Sequence, residues 1–131
     1  MSIDGAMPRF AMLEHTGAPD DPAGRHFDLL LEDGEACRTW RLLALPAPGA
    51  VPVAGLELPR HRLAWLDILD GEVSGGRGHA RRIDAGTFEP LSLDAGSPGT
   101  ATSLVLRVTG GRIAGRLRLE AVGEGWAVSL S

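Results

Sequence analysis

In His26-Phe27-Asp28 an imidazole and a carboxylate stand two residues apart. On an extended strand that spacing sets both on one face, about 7 Å apart along the chain, with Phe27 and Leu29 turned to the opposite face. Two such groups can converge on one ion. His15 ends the preceding extended run, and an antiparallel return through Thr16 to Gly24 brings it beside His26. Two imidazoles and one carboxylate suit Mn²⁺, Fe²⁺ or Zn²⁺, with coordination positions left for water or substrate. A divalent metal held by His15, His26 and Asp28 is therefore expected. The alternative is a pair of histidines that serve only as surface or hydrogen-bonding groups.

The elements that must position these residues are short strands. Eighteen Gly and nine Pro recur at close intervals, and no apolar pattern of helical period persists long enough for an ordinary helix. From Arg112 to Ala121 apolar and charged residues alternate: Ile113, Leu117 and Leu119 face a core, while Arg112, Arg116, Arg118 and Glu120 face water. The run Leu104 to Val108 precedes it, with Gly110-Gly111 between them as a two-residue linker of the kind that favours primed hairpin turns. Further strands are expected at Arg9 to His15, His26 to Glu32, Ala36 to Ala44, Ala64 to Leu69, Gly78 to Asp84 and Trp126 to Leu130. Asp33-Gly34 and Asp70-Gly71 supply turns. Thr16 to Gly24 and Ala47 to Gly55 read as the longer connections. The expectation is an all-β fold, with room for a minor helix: one domain over residues 1–131, a compact antiparallel β-barrel of about seven or eight strands.

Composition narrows the function. With 44% hydrophobic residues, 131 residues can bury a core that needs no disulfide. The single cysteine, Cys37, has no partner in the chain, and Met1 to Phe10 shows neither the basic nor the apolar region of a secretory signal. A cytoplasmic setting is expected. The longest uncharged stretch, Leu42 to Leu56, is broken by Pro and Gly and is too short for a membrane helix. A net charge of −4 argues against long-range steering toward nucleic acid, although local arginine patches remain.

The order and spacing of several motifs carry a wider likeness. Glu14-His15, His26-Phe27-Asp28, Arg38-Thr39-Trp40, His61 followed by Trp65, the glycine-rich Ser74-Gly75-Gly76-Arg77-Gly78 and the strand Ile113 to Leu117 follow one another along the chain. In this the sequence resembles the 3′-phosphoesterase domain of bacterial DNA ligase D, from about Arg9 to Leu119. Two residues depart from that family's pattern. Leu30 stands where the family has a phosphate-binding Arg, and Trp65 where it has Tyr. The interval from His15 to His26 is also longer, as if a loop were inserted.

The resemblance implies a β-barrel that uses a divalent cation, commonly Mn²⁺, to remove 3′-terminal ribonucleosides and 3′-phosphates from DNA ends during break repair. DNA 3′ ends or another phosphoester would be the substrate, and ligase or polymerase repair proteins the partners. His15, His26 and Asp28 would be the ligands. His61 would contact the phosphate and protonate a leaving oxygen, a role suited to imidazole near neutral pH. Trp65, Arg62 and Arg77 are the candidate phosphate-binding residues, with Arg81 a further source of guanidinium. The loss of the family Arg keeps a second reading open: a catalytically degenerate module on the same fold that binds nucleic acid or a protein partner, for which the arginine face of Arg112, Arg116 and Arg118 would be the natural surface.

Overall fold

The structure is a computed structural model and describes residues 7–131. Most of the segment read as lacking a targeting signal, residues 1–6, lies outside the described residues. Among the described residues nine strands follow in order: β1 (Arg9–Thr16), β2 (Arg25–Asp33), β3 (Ala36–Leu42), β4 (Val53–Arg62), β5 (Asp70–Glu72), β6 (His79–Leu93), β7 (Ser103–Gly110), β8 (Ala114–Val122) and β9 (Gly125–Leu130). One 3₁₀ helix, Leu63–Asp67, joins β4 to β5. Every strand pairing is antiparallel, in the order β1-β2-β3-β4-β9-β8-β7-β6. Because β1 pairs with both β2 and β6, these eight strands close into a barrel, and β5 hangs on β6 outside the ring. Closure removes the open edges that an eight-stranded sheet would otherwise expose. Among the described residues no helix is long and apolar enough to cross a membrane.

Closure depends on the 15-residue β6, whose first half pairs with β1 and whose second half pairs with β7. Gly86 sits at the changeover, where a Cβ would meet the carbonyl oxygen of Thr109 at 2.0 Å. Only glycine allows the two backbones this approach.

Period-two alternation divides the buried side chains between two cores. Phe10, Met12, Leu29, Leu31, Trp40 and Leu42 point into the barrel and meet Leu104, Leu106, Leu117, Leu119 and Val128 from the far wall. Each such burial contributes about 1.5–3 kcal/mol. The intervening residues Ala11, Leu13, Leu30 and Cys37 lie on the outer face, yet they too are buried, under Leu66 of the 3₁₀ helix and beside Val73 and Ala80. Burial on both faces explains the unbroken apolar run Leu29-Leu30-Leu31. His15, His26 and Asp28 share the parity of this outer set.

Several sequence expectations need correction. Ala64 to Leu69 is not a strand: residues 63–67 form the 3₁₀ helix, in which only Leu66 is buried. This segment lies on the outside of the barrel as a cover, with Leu63, Trp65 and Ile68 packed beside Leu66, so its apolar residues follow a helical turn and not a pleat. Ala47 to Gly55 is not wholly a connection, because Val53–Gly55 opens β4 and pairs with β9. That strand carries little alternating burial and contains Pro59, beside which its pairing with β3 shifts register. Beyond Gly55, β4 leaves β9 and turns out toward the 3₁₀ helix, which opens a groove on the outer face. The β7–β8 hairpin forms as expected, but Thr109 pairs with Ala114, so the connection is Gly110–Ile113 and not a two-residue Gly-Gly turn. Neither Gly110 nor Gly111 has positive φ. Instead Asp84 accepts hydrogen bonds from the backbone N–H groups of Gly111, Arg112 and Ile113 at 3.0, 2.9 and 2.6 Å.

Candidate metal centre

His15 and His26 are register partners in the β1–β2 ladder, and Asp28 follows His26 on the same face. The three are 8%, 1% and 2% exposed, respectively. One ligand atom from each lies within 4.8 Å of the others. His15 Nδ1 is 3.4 Å from Asp28 Oδ2, and His26 Nε2 is 3.2 Å from Asp28 Oδ1.

The outer nitrogen of each ring is already committed. His15 Nε2 is 2.7 Å from the carbonyl oxygen of Arg77, which can only accept, so Nε2 carries a proton. Arg77 is brought there by a glycine-rich turn. Gly78 has φ +97°, and a Cβ on it would lie 2.1 Å from the carbonyl oxygen of Thr16. His26 Nδ1 donates to Asp21 Oδ2 at 2.9 Å. Asp21 comes from the Thr16–Gly24 loop, which is closed by the Gly17 N–H on the Gly24 carbonyl, while Asp21 Oδ1 accepts the Ala23 N–H. In the neutral rings, therefore, His15 Nδ1 and His26 Nε2 present bare lone pairs toward a carboxylate.

Lone pairs gathered around one point repel unless a cation stands among them. His26 Nε2 and Asp28 Oδ1 are buried and have no hydrogen-bond partner among the described residues. An unmet buried polar atom costs about 1–3 kcal/mol, and more when charged. A divalent ion satisfies both atoms, and an imidazole backed by a carboxylate or carbonyl is the usual arrangement behind a metal-bound histidine. The donor set thus fits a metal. Asp28 stays ionised: burial acts to raise its pKa, but the facing His15 and His26 rings outweigh it and bring it down to about 2. The His15 pKa is raised, chiefly by its hydrogen bond with Asp28, against the opposing effect of burial.

The cluster lies at the inner end of the groove, a cavity of about 890 Å³ lined by His15 and Asp28 and, further out, by His61, Arg62, Trp65 and Arg77. His61 donates from Nδ1 to the Pro59 carbonyl at 3.0 Å and packs edge-on to Trp65 with ring centroids 4.9 Å apart. Its Nε2 has no hydrogen-bond partner among the described residues. Arg62 is exposed, and the guanidinium of Arg77 is tied to Ser74 within its own turn. Arg81 instead pairs with Glu14 and does not line the groove. Leu30 is wholly buried beneath the 3₁₀ helix. Cys37 is buried there too, and burial pushes its thiol up to about 11, which makes it a poor nucleophile. The side chains of Arg112, Arg116 and Arg118 belong to the opposite hairpin and are exposed.

Sequence reasoning missed Asp21 and Arg41. Asp21 has no periodic relation to His26, and only loop closure brings it there. Arg41 is the register partner of Asp28 on β3 and lines the groove. The turn that fixes this register is Gly34-Glu35, with Asp33 paired to Ala36; a turn centred on Asp33-Gly34 would have set Thr39 opposite Asp28 instead.

The chain matches no protein-family model, and no curated protein matches it. The likeness to the DNA ligase D phosphoesterase domain therefore rests on the residues already quoted.

Proposed function

We propose that the groove hydrolyses phosphoesters with a divalent cation held by His15, His26 and Asp28. The observation that carries this is the pairing of each ring's outer nitrogen with Arg77 or Asp21, which leaves two imidazole lone pairs and an unmet carboxylate oxygen converging in a buried site. When bound, the cation supplies Lewis acidity toward a phosphoryl oxygen and lowers the pKa of water. The chain's own residues orient and exchange protons. Asp28 and the two rings would hold the ion where His15 and Asp28 line the groove. Trp65 offers an indole N–H toward the phosphate, and His61, when both of its ring nitrogens carry protons, gives the one on Nε2 to the leaving oxygen.

The finer reading, Mn²⁺ as the metal and a DNA 3′ end as the substrate, follows the resemblance. A second reading is favoured by Leu30. Its burial removes the family's guanidinium from β2, which suits a module that keeps the metal and binds ends without cleaving them. Titrating Mn²⁺ calorimetrically into wild type and His26→Ala, then supplying a primer-template ending in a 3′-phosphate, separates the two. Metal binding abolished in the variant, with metal-dependent phosphate release by wild type, supports the hydrolase. Metal binding without release supports the module, and no metal binding removes both.

A further inference from the structure

The groove needs a cationic anchor for its substrate, and the arginines named from the sequence are poorly placed for it. Arg77 is held by Ser74, Arg81 by Glu14, and Arg62 stands exposed at the outer part of the groove. Arg41 differs from all three. Its Cα is the register partner of Asp28, which puts its side chain on the same outer face of the adjoining strand, about 5 Å away at the backbone. Its side chain is only 18% exposed.

Its hydrogen bonding is incomplete. Nη2 meets both oxygens of Asp20, at 3.4 and 3.2 Å, but Nε is buried and has no hydrogen-bond partner among the described residues. Asp20 belongs to the Thr16–Gly24 loop and its side chain is 71% exposed, so the pair is of the weak, solvent-screened kind. A carboxylate that uses one nitrogen of the fork is a poor match for a guanidinium. A phosphoryl group, with three oxygens, can accept from Nε and an Nη together, the bidentate geometry for which arginine is suited.

We infer that Arg41 is the phosphate anchor of this groove, reaching from β3 to where Leu30 cannot act from β2, and that Asp20 occupies its guanidinium until an anionic phosphoester displaces it. This rests on the phosphoesterase reading and names the group that holds the substrate's phosphate beside the ion. Its consequence is that the Thr16–Gly24 loop serves both halves of the site, with Asp21 orienting a metal-binding ring and Asp20 guarding the anion position.

The test uses inorganic phosphate as probe, titrated calorimetrically into the full chain with and without Mn²⁺, for wild type, Arg41→Gln, Arg41→Lys and Asp20→Asn. Thermal unfolding of each confirms a folded sample. Arg41→Gln is expected to weaken phosphate about ten- to a hundredfold, the loss of a charge-assisted bond, while Mn²⁺ affinity holds or rises. Arg41→Lys is expected to fall between, because a point charge replaces the fork. Asp20→Asn is expected to tighten phosphate, an effect that a merely structural strap between loop and barrel would not give. Phosphate affinity unchanged in Arg41→Gln, weakened in Asp20→Asn, or absent from wild type overturns the assignment. The metal arm reads separately: a wild type that binds phosphate through Arg41 but takes no Mn²⁺ would leave the anchor standing and remove the metal-dependent reading.

Discussion

His15 and His26 face each other directly across the β1–β2 ladder, with ring centroids 4.8 Å apart and planes tilted by 59°. The ladder holds both backbones, and Arg77 and Asp21 hold the outer nitrogens, so little is left to reorganise when an ion arrives. Such preorganisation lowers the entropic cost of binding. Without an ion, a proton on His15 is what relieves the crowded lone pairs.

Metal binding should therefore compete with that proton. The His15 pKa is raised above its ordinary 6.5, chiefly by Asp28, so the ion must displace a proton that this ring holds to higher pH than an ordinary imidazole does. Affinity is expected to climb as pH rises through this range, roughly tenfold per unit while His15 stays protonated, and to level off above its raised pKa. Mn²⁺ calorimetry in buffers of differing ionisation heat reads both the affinity and the proton released. Affinity that does not change between about pH 6 and 8, with no proton release, would contradict this.

Asp21 makes no contact with the proposed ion position yet sets the tautomer of His26. Asp21→Ala is expected to weaken metal about 10–100-fold by freeing the ring. Asp21→Asn should lose less, since its amide oxygen can still accept from Nδ1. Nitrogen NMR of the imidazoles gives the tautomer directly, and a His26 that keeps its Nδ1 proton in Asp21→Ala would count against this role.

Placing an arginine at position 30, where the phosphoesterase domain that the sequence resembles carries one, should not create a phosphate clamp. Leu30 is fully buried among Ala11, Leu13 and Leu66, and a guanidinium there would have no partner. Leu30→Arg is expected to cost about 3–5 kcal/mol in urea unfolding, the penalty of an unpaired buried charge. A variant as stable as wild type would show that the 3₁₀ helix lifts away easily.

Asp84 is the structural counterpart of the polar cluster. It is 7% exposed and accepts N–H groups from its neighbour Ala85 and from the β7–β8 connection. Asp84→Ala strands these donors and is expected to cost about 2–4 kcal/mol. Burial acts to raise the carboxyl's pKa, but the backbone donors prevail and lower it from 3.8. A depressed folded pKa contributes stability that is present above the unfolded value and is lost as pH falls through the folded one. Acid unfolding of wild type should therefore steepen below about pH 4, and Asp84→Ala should lose part of that steepness. Identical acid profiles would show that other carboxylates account for it.

Much of this protein was legible in its residue order. Alternation in β8, the apolar run of β2 and the glycine-rich punctuation led to an all-β barrel, because period-two burial and turn chemistry are local properties. His26 and Asp28 were readable as a pair for the same reason, and His15 because a single antiparallel return brings it opposite His26. Tertiary structure alone decided the rest. Leu30 reads as one more core residue, and only the cover made by Leu63–Asp67 shows that it lies outside the barrel. The Thr16–Gly24 loop and the Ser74–Gly78 turn, which bring Asp21 and the Arg77 carbonyl onto the two rings, make a buried site of three polar groups on that outer face. Asp21 and Arg41 became part of that site through loop closure and strand register, relations that no periodicity in the chain encodes.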